Sequence, residues 1–377
     1  MAPTRRIATP TRPTSPPSKE KRHVQAISFY LPQFHPVPLN DRAWGKNFTE
    51  WSSTLRGAPL FPRHYQPHLP SELGTYDLRI ADVRAQQTAM AKEAGLSAFS
   101  LYHYWHSGAR AMHEVIDAFF DEEHPVHMML CWANHSWTRQ WTGDRTVLIE
   151  QEYSADDDDR HSSFLVGLFQ RPSYFRVNER PVFLVYDPAT LRGSSELIPL
   201  LREKSELLGL SPLIGACVNF DEPVDFDDWG YDFELRWSPN FMWIFGTEHP
   251  LIDRYLRLNS RTIGRKVTRH RWNRAFDHPR FSQAYFRRPK PNWPTTECVF
   301  PSWDNTARRT RGEAFVFVGS DPDLFERSLT EAVDRVRPED PPLVFINAWN
   351  EWAEGCHLEP CDRWGRAWIE ACARVFA

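Results

Sequence analysis

The chain has no Cys-x-x-Cys pair, no Gly-x-Ser-x-Gly turn, no glycine-rich phosphate turn and no apolar run of membrane-spanning length. Each absence removes a class of function. Without paired cysteines a structural zinc ribbon has no ligands. The six cysteines are scattered: Cys131, Cys217 and Cys298 sit in apolar runs as buried thiols, and Cys356 and Cys361 would pair only in an oxidising compartment. Without a nucleophile elbow no serine hydrolase is set up. The first apolar run is followed by Pro-Gln-Phe-His, which disfavours an open dinucleotide-binding sheet. Pro67 breaks the His64/His68 pair, and no His-x-His ends the first strand, so we expect neither metal nor cofactor. A net charge of −4 argues against a general nucleic-acid binder. Residues Met1–Arg22 lack the apolar segment of a secretory signal and carry Arg5, Arg6, Arg12, Lys19, Lys21 and Arg22 against Glu20 alone. They read as a disordered basic leader covering 1–23, before a single catalytic domain over 24–377. A cytoplasmic protein is expected, with export of a processed form left open; oligomeric state is not legible.

What the chain does have is aromatic surface and proline. Of its 377 residues 14% are aromatic, 16 of them Trp, and 31 are Pro. Flat indole faces suit the C–H faces of sugar rings, with protein interfaces as the competing use.

Eight apolar runs alternate with helical patterns. The strands are expected at Val24–Tyr30, Ser97–Trp105, Val126–Asn134, Pro181–Asp187, Pro212–Asn219, Tyr231–Trp237, Cys298–Asn305 and Leu343–Asn350. Helices are expected at Ile80–Ala94, Met112–Phe120, from Asp156–Asp159 to Gln170, Glu196–Leu208, Leu324–Val336 and Trp364–Phe376. This alternation predicts an α/β fold, a (β/α)8 TIM-type barrel with long βα loops. A basic insertion over about 238–297 separates strands six and seven. Its ten Lys and Arg between Arg261 and Lys290, interleaved with Trp272, Phe276, Phe281, Tyr285 and Phe286, suggest a solvated face or a cleft wall for an anionic glycan or diphosphate-linked donor.

The organising stretch is LVFINAWNEWAEGCHLEP, Leu343–Pro360. A buried strand discharges Trp349, Asn350, Glu351, Glu354 and His357 at its C-terminal end, where a barrel places catalytic groups. Glu351 and Glu354 are three apart, share one side of a turn, and can divide the roles of acid and base. The other strand ends supply Tyr30 and His35; Tyr102, His103 and Tyr104; Trp132, Asn134, His135 and Trp137; Asp187; Asn219; Glu234; and Trp303, Asp304 and Asn305. If all of these rim one mouth, hydrogen-bonding and stacking groups surround two carboxylates, which describes a saccharide site better than a phosphate, acyl or redox site. The expected partner is an oligosaccharide or polysaccharide, with no nucleic acid and no transmembrane segment.

Several motifs in order, FYLPQFHP, WGKNFTEW, PLFPRHYQPHLP, SLYHYW, CWANHSWTRQW, RPVFLVYDP, FPSWDNTARR and FINAWNEWAEGCHLEP, resemble the WbsX-type family from about Val24 to Phe376. That family carries a label of polysaccharide-biosynthesis glycosyltransferase and is related to glycoside hydrolase family 99, the endo-α-mannosidases. The resemblance implies a barrel with Glu351 helping the sugar's own 2-hydroxyl attack its anomeric carbon, and Glu354 protonating the departing oxygen and later activating water. It departs from the family's Trp-Ala-Asn-Glu after strand three, where this chain has His135, and from Trp-Asp-Gly, here Trp141-Thr142-Gly143. Three functions stay open: a retaining glycoside hydrolase or transglycosidase on a surface or cell-wall polysaccharide, a glycosyltransferase of lipopolysaccharide, O-antigen or capsule biosynthesis, and a non-catalytic glycan-binding barrel.

Overall fold

The computed structural model describes residues 23–138, 146–218, 229–240, 244, 246–262, 273–309 and 313–377. The basic leader, Asn219 and the Trp141-Thr142-Gly143 site lie outside them. Eight parallel strands close a barrel: β1 Gln25–Tyr30, β2 Leu96–His106, β3 His127–Trp132, β4 Arg180–Val185, β5 Leu213–Val218, β6 Phe233–Arg236, β7 Thr295–Val299 and β8 Leu343–Ile346. Each pairs with the next, and β8 returns to β1 with Gln25 opposite Leu343. The fold is the expected (β/α)8 barrel. It forms because the strands are apolar on both faces: Val344 and Phe345, which point opposite ways, are equally inaccessible.

The longer described helices are α1 Ala81–Glu93, α2 His113–Asp121, α3 Ala155–Phe169, α4 Leu197–Glu206, α5 Pro250–Thr262, α6 His278–Phe286, α7 Pro322–Asp334 and α8 Ala367–Phe376. In α7 the buried residues Leu324, Phe325, Ser328, Leu329 and Ala332 recur at helical spacing, and the Asp321 carboxylate caps the Leu324 N–H at 2.7 Å. Among the described residues no helix is long and apolar enough to cross a membrane. All six cysteines are free and buried, Cys356 and Cys361 included.

Strand seven lies earlier than its apolar run suggests. β7 begins at Thr295, and Trp303, Asp304 and Asn305 belong to the loop beyond it. The described part of the segment between β6 and β7 is also less exposed than its composition implies. Phe276, Phe281 and Tyr285 are buried in a cluster with Phe300, Trp303 and Phe317, and the strand Arg274–Asp277 pairs with Phe315–Val318. Its described cations are partly spent internally: Arg274 bonds Glu248 at 2.6 Å and Lys290 bonds Asp340 at 2.6 Å. Arg261, Arg265, Lys266, Arg269, Arg271 and Trp272 lie outside the residues whose side chains are described.

Candidate active site

Three residues past β8 the backbone makes a short hairpin. Asn350–Glu351 pairs antiparallel with Cys356–His357, and Trp352–Glu354 forms one 3-10 turn between them. Gly355 closes the turn at φ 57°, where a Cβ would stand 3.0 Å from Asp304 Cβ and 3.1 Å from His68 Cε1. Glycine takes that backbone without strain, and a side chain there would crowd Asp304 and His68.

The turn presents both glutamates to one cation. Arg308 donates from Nη2 to Glu351 Oε2 at 3.1 Å and from Nη1 to Glu354 Oε1 at 2.8 Å. A third carboxylate completes the group: Glu50 Oε1 accepts from Arg308 Nε at 3.1 Å and Nη2 at 2.6 Å. Glu50 opens the helix Glu50–Thr54, whose Thr49–Ser52 capping box fixes its start. One guanidinium, from the loop after β7, thus holds three carboxyl groups, one from the loop after β1 and two from the hairpin after β8.

Burial penalises charge here. It pushes the Glu351 carboxyl up to about 8 against the opposing pull of Arg308, and raises Glu354 in the same way. Burial also works against the Arg308 charge, but Glu50, Glu354 and Glu351 outweigh it and hold the guanidinium well above its ordinary range. Two neighbouring carboxyls raised together can divide the roles of acid and base.

Beneath the pair lies an aromatic floor. Tyr102 stacks on Phe29 at 5.6 Å and meets Tyr186 edge-on at 6.1 Å, and Tyr186 meets Trp237 at 5.1 Å. Burial raises the hydroxyl pKa of Tyr102 and Tyr186 well above the ordinary tyrosine value, and the neighbouring Glu351 adds to both. Tyr104, with the indole of Trp137 edge-on at 4.8 Å, lies near Glu351, Arg308 and Glu50. His135 is exposed beside this floor, its ring 5.0 Å from Tyr186 and its Nε2 3.9 Å from Asp187.

Not every strand-end residue reaches this mouth, which corrects the picture of a single rim. Tyr30 turns outward and donates to Gln87 of α1 at 2.8 Å. His103 pairs with His161 of α3 at 3.1 Å, and Trp132 packs edge-on against the same imidazole. His35 is buried near Asp77 and Glu114, and burial lowers its pKa. Glu234 sits near the start of β6 and accepts from Trp293, just ahead of β7, at 2.7 Å, so it belongs to the opposite end of the barrel. For His103 the cause is the two-residue alternation of a strand, which turns it away from the face that Tyr102 and Tyr104 share.

A further set holds the loops in place. Asn134 bonds the Asp187 backbone through both its oxygen and its nitrogen, at 2.8 and 2.7 Å. Asn350 does the same for Leu31, at 2.8 and 3.1 Å. Asn305 accepts from the Phe315 N–H at 2.8 Å, and Trp303 is buried beneath it in the cluster with Phe317. Asp304 accepts from His64 Nε2 at 2.7 Å and Gln66 Nε2 at 2.8 Å, while its own N–H donates to the Glu354 carbonyl at 2.6 Å. His357 stacks on Trp352 at 3.8 Å and bonds His68 at 3.0 Å. Trp349 and Trp352 both donate to the buried Glu359, at 2.9 and 2.6 Å.

Sequence reasoning missed Glu50, Arg308, Tyr186 and Trp237. Glu50 and Arg308 lie inside the quoted motifs WGKNFTEW and FPSWDNTARR, but nothing in either stretch links two residues 258 positions apart. Among the described residues no group of three or more His, Cys, Asp or Glu is arranged to hold a metal ion.

Comparison with known proteins agrees with this architecture. The profile of the family described as Glycosyltransferase WbsX matches residues 26–372. Proteins named "Uncharacterized protein WxcX" from two strains of Xanthomonas campestris pv. campestris are 36% identical over 350 residues, covering 92% of this chain and 48% of theirs. The chain therefore spans about half the length of these relatives. A solved glycoside hydrolase-like protein superposes with a TM-score of 0.57 at 12% identity, over 97% of each chain. The GH99 endo-alpha-mannosidase from Bacteroides thetaiotaomicron superposes with a TM-score of 0.52 at 14% identity, over 93% of this chain and 96% of its own. At such identities the likeness to the solved structures is one of fold.

Proposed function

The chain belongs to the WbsX glycosyltransferase family, and from that premise we propose that it is a carbohydrate-active enzyme, a retaining glycoside hydrolase or transglycosidase acting on a surface or cell-wall polysaccharide. One observation carries the reading: Glu351 and Glu354 are held on a single guanidinium at the end of the last barrel strand, above an aromatic floor. In the proposed reaction the ionised member of the pair takes the proton of the substrate's 2-hydroxyl as that oxygen attacks C1. The protonated member gives its proton to the departing glycosidic oxygen; as a carboxylate it then takes a proton from the water that adds to C1 and opens the resulting three-membered ring, while the first member returns its proton to O2. We assign the first role to Glu351, which takes up its charge as pH approaches about 8, and the second to Glu354, whose side chain is the more exposed of the two, at 17% against 8%. Arg308 restrains both carboxyls and moderates the cost of the negative charge.

The second reading, glycosyl transfer from a nucleotide-linked or lipid-linked donor, is favoured by the family's description. Against it, in Asp156–Asp159 and Asp321-Pro-Asp323, short acidic runs that could serve a nucleotide donor, four aspartates have structural employment. Asp157 accepts from Trp105, Asp158 from Ser195 and Asp159 from Lys204, while Asp321 caps a helix. The test is incubation of the full chain with bacterial surface polysaccharides and mannose-containing oligosaccharides, with NMR of the first-formed product. Release of a reducing end with the starting anomeric configuration supports the proposal. Consumption of a sugar nucleotide with no action on glycans alone favours the second reading.

A further inference from the structure

Beside the hairpin lies a second cavity, of about 140 Å³, that the proposed chemistry does not use. Trp303, Tyr65 and Trp364 contribute to its walls, and Arg63 and Arg363 stand at its exposed rim. Two facts single it out. First, neither guanidinium has a carboxylate partner among the described residues, whereas Arg274, Arg308 and Arg366 are all ion-paired. Arg363 is held instead over two rings, 5.3 Å from Tyr65 and 5.1 Å from Trp364. Arg63 adopts φ 67°, a conformation uncommon for a residue with a side chain.

Second, the acidic residue in the lining is fully engaged. Asp304 Oδ2 accepts from His64 and Gln66, and Oδ1 accepts from the Thr306 N–H at 3.0 Å and hydroxyl at 2.6 Å. His64 Nδ1 accepts from the Leu60 N–H at 2.9 Å, which leaves Nε2–H to serve Asp304. The carboxylate therefore has its own donors and does not claim the arginines. The cavity is thus lined by aromatic rings, with two cations that no described carboxylate neutralises.

We infer that this cavity is a subsite for a sugar unit carrying an acidic group, a carboxylate or a phosphate, with Arg63 and Arg363 as its ligands and the aromatic walls as its platform. Planar guanidinium forks match both anions, and the aromatic walls take the ring's C–H face. Asp304 ties the cavity to the reaction centre, because its N–H bonds the Glu354 carbonyl. An acidic unit seated here places a neighbouring part of the same glycan toward the glutamates. The inference rests on the carbohydrate reading above and adds the class of sugar.

The test is a titration of the full chain, followed by tryptophan fluorescence, with glucuronic acid, glucose 1-phosphate and neutral methyl glucoside. At least one acidic probe is expected to bind roughly tenfold more tightly than the neutral one. Whichever anion wins names the source. Arg63→Ala with Arg363→Ala should abolish the preference, and Arg363→Lys should retain part of it. If the double change unfolds the chain, Arg63→Ala alone, at an exposed position, must lower the preference. Equal binding of all three probes, or a preference that survives the loss of both arginines, overturns the inference. The titration needs no turnover: hydrolysis without acidic-sugar binding counts against the cavity alone, and binding without hydrolysis counts against the proposed reaction alone.

Discussion

Arg308 bonds a single oxygen of Glu50 through two of its nitrogens, at 3.1 and 2.6 Å, and Glu50 is fully buried. The relationship fixes the guanidinium plane before either hairpin glutamate contributes. Its remaining geometry then determines where Glu351 and Glu354 sit. A lysine carries the charge without the fork, so Arg308→Lys should lower kcat by about 10²-fold with a smaller change in KM. Glu50→Gln, which weakens the anchor without removing it, should cost less. Steady-state kinetics on one glycan substrate check the order; a kcat unaffected by Arg308→Lys contradicts it.

Glu351 predicts a pH dependence of stability. Its carboxyl is raised from 4.5 to about 8 in the folded chain, so folding favours the protonated form. The contribution is most favourable below the unfolded value and is lost as pH rises through about 8. Glu351→Gln cannot ionise and escapes this loss. Denaturant unfolding at pH 5 and pH 9 should therefore show the variant gaining on the parent by about 1–3 kcal/mol at the higher pH. A constant difference across that window contradicts the assignment. With Glu351 as the base, turnover should climb as pH rises toward about 8, and a rate independent of pH below that value contradicts the role.

Glu359 makes a different prediction. It accepts four hydrogen bonds, from Tyr76, Gln87, Trp349 and Trp352, and burial pushes its carboxyl up to about 7. Its share of stability falls as pH rises from 4.5 toward 7. Glutamine removes the charge but turns an N–H2 toward donors, leaving at least one indole N–H without an acceptor. Glu359→Gln should lose about 1–3 kcal/mol of stability near neutrality despite the lost charge. Thermal unfolding with near-UV circular dichroism, which follows Trp349 and Trp352, measures it.

Gly355→Ala should damage turnover more than stability, because the added methyl meets Asp304 and His68 at the base of the hairpin that carries both glutamates. A loss of about 10-fold or more in kcat is expected, with a change in unfolding free energy of about 1–3 kcal/mol. Wild-type kinetics from this variant would mean that the hairpin's exact position is unimportant.

The architecture was legible because six of the eight strands are plain apolar runs ended by proline, glycine or polar clusters. β7 was misplaced because its first half, Thr295, Thr296 and Glu297, is polar yet buried, with Glu297 neutralised by Arg236 and Arg335. Apolarity cannot reveal such a strand; a distant salt bridge makes it possible. The hairpin glutamates could be picked out by their local spacing. Their controller could not, since Arg308 comes from another loop and its anchor Glu50 from a third. Tyr30, His103 and Trp132 stand at strand ends beside mouth residues, but the two-residue alternation turns them to the outer face. Applying that period separates Tyr102 and Tyr104 from His103 on sequence alone.

The most direct test of the central claim is glycan cleavage by the parent chain, Glu351→Gln and Glu354→Gln, with binding of the same glycan measured in parallel. The account predicts that each glutamine variant loses at least about 10²-fold in kcat while still binding the glycan. A variant at either position that cleaves at the parental rate contradicts it.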